Sequence, residues 1–73
     1  MIRYRPFIEE RQDADLGAYL SFGIRAIDEQ GNIVKEIHDV STRLAFAASL
    51  CKRCTINELD PIHLKDVIED SIG

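Results

Sequence analysis

Residues 20–26, Leu20-Ser21-Phe22-Gly23-Ile24-Arg25-Ala26, set an apolar side chain at every second position. In an extended chain Leu20, Phe22, Ile24 and Ala26 share one face, and Tyr19, Ser21, Gly23, Arg25 and Ile27 take the other. One face suits a core; the other is mixed enough to meet solvent or a partner, as an antiparallel strand allows. The stretch therefore predicts a central strand, and the flanking residues must supply its neighbours.

Upstream, Ile2 to Glu9 alternates loosely, but Tyr4, Phe7 and Ile8 favour strands and Pro6 cannot donate to a ladder. An edge strand is expected there, joined to the central one by a turn over Gln12-Asp13-Ala14-Asp15-Leu16-Gly17. Downstream, Glu29-Gln30-Gly31-Asn32 places a residue without a β-carbon where a tight hairpin needs positive φ, and a third strand follows from Ile33 to Val40.

The period then changes from two to 3.6. From Arg43 to Cys54, Leu44, Ala47, Ala48, Cys51 and Cys54 form one stripe, widened by Phe46 and Leu50, with Ser49, Lys52 and Arg53 opposite. Ser41 or Thr42 is placed to cap this helix, whose broad apolar arc calls for two neighbours. A connection from Thr55 to Asp60 leads to a last helix, where Asp60 suits the N-cap, Pro61 the first position, and Leu64, Val67, Ile68 and Ile72 the buried side.

Three strands followed by two helices make an α+β fold, a three-stranded antiparallel β-meander with both helices on one face (β-β-β-α-α). A parallel βαβ arrangement needs a crossover for which the short turns leave no room. Seventy-three residues hold one small domain, residues 1–73, and one core. Residues 1–56 carry eight Lys/Arg against eight Asp/Glu, so the net charge of −4 lies in the C-terminal segment. Nothing there offers a phosphate backbone a basic stripe, and no nucleic-acid partner is expected. No apolar run is long enough to span a bilayer, the N-terminal residues do not read as a secretory signal, and two cysteines are not a secreted disulfide framework. A cytoplasmic protein without a membrane partner is the expectation.

Chemistry-bearing residues are few. Cys51 and Cys54, with His38 and His63, have the inventory of a Cys₂His₂ zinc site, but both cysteines fall on the apolar stripe, where cysteine usually packs as a small hydrophobe. A redox role fits no better, because a thiolate is stabilised at a helix N-terminus and this pair sits near a C-terminus. His63, Asp66 and Asp70 share one side of the last helix and could together hold a cation or polar ligand. A packed, hydrogen-bonded histidine is the plainer reading. The serines form no recognised elbow, no glycine-rich phosphate loop is present, and neither a catalytic residue nor a cofactor is assigned.

The segment Leu59-Asp60-Pro61-Ile62-His63-Leu64-Lys65-Asp66-Val67-Ile68-Glu69-Asp70 resembles a domain-of-unknown-function family of short proteins from Clostridia-type Gram-positive bacteria. Its tail, Pro-Ile-His-Leu-x-Asp-Val-Ile-Glu-Asp, is the distinctive part; Asp39-Val40-Ser41-Thr42 and Phe22-Gly23-Ile24 extend the likeness upstream. The resemblance implies no reaction, but it draws attention to Pro61, His63, Leu64, Asp66 and Asp70 and away from the cysteines and His38.

The leading expectation is a non-enzymatic protein-interaction or regulatory module, a homodimer or small adaptor, with His63, Asp66, Glu69 and Asp70 as candidate surface. The alternative is a small ligand- or metal-binding protein or enzyme centred on His63, Asp66 and Asp70. An apolar face would favour the first and a cleft beside His63 the second.

Overall fold

The computed structural model describes residues 1–72. Its elements are β1 (Arg3–Asp13), β2 (Gly17–Ile27), β3 (Ile33–Ser41), α1 (Leu44–Ile56) and α2 (Leu64–Ile72), with a short 3₁₀ turn, Pro61–His63, leading into α2. The strands form one antiparallel sheet in the order β1-β2-β3, so the Leu20–Ala26 stretch is the centre of the fold. The α+β meander read from the sequence is the architecture found.

Both hairpins are closed by aspartates. Asp13 Oδ1 accepts from the amides of Asp15 (2.8 Å) and Leu16 (3.0 Å), which holds the Asp13 carboxyl below its usual range. Asp28 does the same for Gln30 and Asn32, with Gly31 at φ +85 as the turn requires. The first hairpin is longer than expected: β1 runs on to Asp13 instead of stopping at Glu9, in continuous register from Arg3↔Ile27 to Asp13↔Gly17.

The core joins one face of the sheet to the helices. Tyr4, Ile24, Ala26 and Val40 meet Leu50, Cys51, Cys54, Leu64 and Ile68, with Ile2, Ile37, Phe46, Leu59 and Val67 around them. α1 thus has its two neighbours, the sheet and α2. It lies chiefly over β1, and Thr55 near its end reaches the strand: the Tyr4 amide donates to Thr55 Oγ1 (2.9 Å), and the Tyr4 hydroxyl donates to the Leu59 carbonyl (2.5 Å). Asp60 and Pro61 start the last helical segment as predicted, with Asp60 Oδ1 accepting from the Ile62 amide (3.1 Å). Ser41 does not cap α1 in the ordinary way; its Oγ accepts from the Arg43 amide, the residue at which the helix opens.

Leu20, Leu44, Ala48 and Ile72, expected inside, are exposed. For Leu20 the reason is the length of the hairpin. The ten residues from Tyr4 to Asp13 extend about 30 Å, in a molecule 40 Å in its longest dimension, and the helices cover only the Tyr4–Ala26 end. On the helix side of the sheet the far end stays bare, with Ile8 59% and Leu20 57% exposed.

Candidate interaction surfaces of the sheet

Side chains alternate along β1, so with Tyr4 in the core, Phe7, Glu9 and Arg11 stand on the opposite, open face. Gly23 lies across from Phe7, and the missing β-carbon makes room for the ring: a Cβ there would meet both the Phe7 ring and the Ile37 carbonyl oxygen, the latter at 2.6 Å. The Arg25 guanidinium sits 4.2 Å over the Phe7 ring centroid, and His38 meets its edge with centroids 5.4 Å apart.

Around that ring the charges are paired. Arg25 Nε lies 2.7 Å from Glu36 Oε2; His38 Nδ1 is 2.9 Å from Glu9 Oε1, and His38 Nε2 is 3.1 Å from Glu36 Oε1. Burial pushes the Glu9 carboxyl up, but hydrogen bonds from His38 and the Asp39 amide, with the His38 and Arg11 charges, outweigh it and hold Glu9 below its usual range.

The network also stabilises an irregularity in β3. The register advances two residues in β2, from Phe22 to Ile24, against four in β3, from Ser41 to Ile37, and Asp39 takes the left-handed conformation at φ +53. Its amide donates to Glu9 Oε2 (2.8 Å), and the fully buried Ser21 lies with Oγ 2.6 Å from Asp39 Oδ1. Asp is among the residues that tolerate this conformation. Among the described residues no buried side-chain nitrogen or oxygen lacks a partner. A network whose members satisfy one another covers and stiffens the back of the sheet.

The sheet's two edges differ. Because the Tyr4 amide points to Thr55, outside the sheet, the outward positions of β1 are Tyr4, Pro6, Ile8 and Glu10. The first donor is taken and the second does not exist. On β2 the residues facing β3 are then Ala26 and Ile24, whose partners Lys35 and Ile37 turn inward, leaving Glu36 and His38 with outward backbone groups, while the register slips at Val34 between Lys35 and Ile33.

The residues singled out by sequence lie elsewhere. His63, Asp66, Glu69 and Asp70 are exposed, and among the described residues none is in an ion pair. The clefts between elements have other linings: Leu50, Cys54, Leu59 and Val67 between the helices, and Tyr4, Pro6, Cys51 and Ile56 between β1 and α1. The zinc inventory is not assembled. Cys51 and Cys54 are free thiols in the core, whereas His38 stands beyond the sheet with both nitrogens engaged, and no group of three or more metal-ligating side chains occurs among the described residues. Burial pushes the Cys51 thiol up to about 12, reinforced by Cys54, and raises Cys54 as well, against a small opposing effect of Arg53. Phe7, Glu9, Arg11, Glu36 and Asp39 were not singled out by sequence reasoning. Alternation had already put Arg25 on the open face; extending it to β1 would have found Phe7, Glu9 and Arg11.

Neither a curated protein nor a solved structure matches the chain. Over residues 1–73, its whole length, the chain matches the model of a family of unknown function, and it belongs to that family, DUF6514.

Proposed function

We propose that the protein is a non-enzymatic interaction module, a small adaptor that pairs with itself and presents the bare half of its sheet to another protein. One observation carries the reading: the face that forms the core at Tyr4 and Ile24 continues past the helices to Ile8 and Leu20, which are exposed. Leu16 at the hairpin tip, 74% exposed, extends the apolar surface. A chain this small gains by covering such a surface with a second chain.

The exposed acids Asp66, Glu69 and Asp70, with His63, serve in this reading as a second surface, directed at a basic partner. Support comes from the lack of any ion pair to them among the described residues. The cytoplasm is the proposed place of action, since two free core thiols suit a reducing compartment. No helix among the described residues is long and apolar enough to cross a membrane.

The test is a double variant, Ile8→Lys with Leu20→Lys, used as bait beside the wild type in pull-downs from the native cell. Both positions are exposed, so the melting temperature should hold while the captured partner is lost. A variant that folds and captures the same partner in the same amount refutes the reading.

A further inference from the structure

We infer that a second copy of this chain pairs with β3 in antiparallel register on a twofold axis through Ile37, joining two sheets into one of six strands. The inference rests on the reading of the protein as an interaction module, but it uses a different surface. β3 has outward N–H and C=O groups at Glu36 and His38, and among the described residues no side chain or loop bonds to them. α1 lies chiefly over β1, on the far side of the sheet, so the helices do not obstruct a strand arriving at β3.

Charge selects the register. Outward positions of one strand must meet outward positions of the other, which leaves few alignments near the middle of β3. An axis through Lys35 brings two lysines face to face. One through Glu36 opposes two glutamates, and one through His38 opposes two histidines. Like charges directly across a ladder are destabilising. With the axis through Ile37, Glu36 of each chain faces His38 of the other, twice, and the isoleucines meet between them on the helix side.

Glu36 and His38 already lie 3.1 Å apart within one chain, on the open face. Pairing sets each Glu36 carboxylate beside an imidazole of the other chain, and not beside the other chain's carboxylate. The ladder is short, because Asp39 at φ +53 turns the chain out of the extended conformation. Charged side chains on an edge ordinarily discourage strand pairing. Here they disfavour the alignments centred on Lys35, Glu36 and His38.

The experiment uses two charge variants of the full chain, Glu36→Lys and His38→Glu, each checked for folding by circular dichroism, with mass measured by light scattering across a concentration series. The wild type should form a pair. Each variant alone sets like charges opposite one another at two places and should pair roughly tenfold more weakly. In a one-to-one mixture the introduced lysine of one chain faces the introduced glutamate of the other, and the remaining His38 faces the remaining Glu36, so the mixture should recover the wild-type pairing. An Ile37→Cys chain should form a covalent dimer on mild oxidation, its thiols meeting on the axis. A monomeric wild type at millimolar concentration overturns the inference and the self-pairing part of the proposed function. A wild-type dimer with both folded variants unaffected, or a mixture that stays as weak as its components, overturns the Ile37 register alone. Loss of partner capture in the Ile8 and Leu20 variant is independent of both.

Discussion

Replacing Tyr4 with phenylalanine removes one oxygen atom and tests how β1 is fastened to the rest of the molecule. The ring is 4% exposed and stays in place; what goes is the 2.5 Å hydrogen bond to the Leu59 carbonyl, which ties β1 to the segment leading into α2. A hydrogen bond of this kind contributes about 1 kcal/mol net, and a carbonyl left without its donor inside the protein raises the cost. For a domain of this size total stability is about 4–11 kcal/mol, and each kcal/mol lowers the melting temperature by about 4–8 °C. Thermal melts at pH 7 should therefore place the variant about 4–8 °C below the wild type.

The same group predicts a pH dependence. Burial, with smaller effects of Cys54 and Asp60, pushes the Tyr4 phenol from 10.0 to about 12, so the fold favours the neutral form. That contribution is complete below pH 10, the value in the unfolded chain, and is lost as the pH rises to about 12. Cys51, raised from 9.0 to about 12, acts in the same direction from pH 9 upward. Wild-type stability should fall through this alkaline range, and Tyr4→Phe should keep the part due to Cys51 and lose the part due to the phenol. A variant that melts with the wild type at pH 7 and shows the same alkaline profile would refute the reasoning.

Gly23→Ala forces a β-carbon onto the Phe7 ring and the Ile37 carbonyl, and denaturant titration should show a loss of about 1–3 kcal/mol. Asp66→Asn with Asp70→Asn should leave the melting temperature nearly unchanged, since relief of the i, i+4 repulsion and of Asp70 in the unfavourable last turn is offset by losing Asp66 from the first turn, where a carboxylate is favourable. A drop of more than about 8 °C would mean that Arg3, Arg5 or Arg43 compensates these acids, an ion pair absent among the described residues. Cys51 and Cys54, both 3% exposed, should react with a thiol reagent only as fast as the domain opens, and fast modification under native conditions would contradict the placement of α1.

Local chemistry made the order of elements readable. Period two at Leu20–Ala26, period 3.6 after Arg43, and the Asp60-Pro61 start each act within a few residues, and each lies where it was read. Extent was less readable, because burial depends on what lies across the sheet. Leu20 and Ile24 have the same place in the pattern, yet one is exposed and the other enclosed, since α1 begins just after Ser41, opposite Phe22, and runs away from Leu20 toward Tyr4. The open-face network was hidden for a related reason. Glu9 and His38 are 29 residues apart, and they meet only because the β3 bulge turns Asp39 toward β1. His38 in isolation reads as a spare metal ligand; beside Glu9 and Glu36 it is a clamp between strands.

The Thr55 hydroxyl on the Tyr4 amide, followed by a proline at the next outward position, bears on how large an assembly of this chain can become. A sheet with two receptive sides adds copies without limit, which is how strands build fibres. On this chain the helix-backed half of β1 has no donor for an incoming strand, and further along its edge Glu10 sets an exposed carboxylate. In the proposed pairing the copies join at β3 and leave β1 outside, so the expected assembly is a pair rather than a fibre.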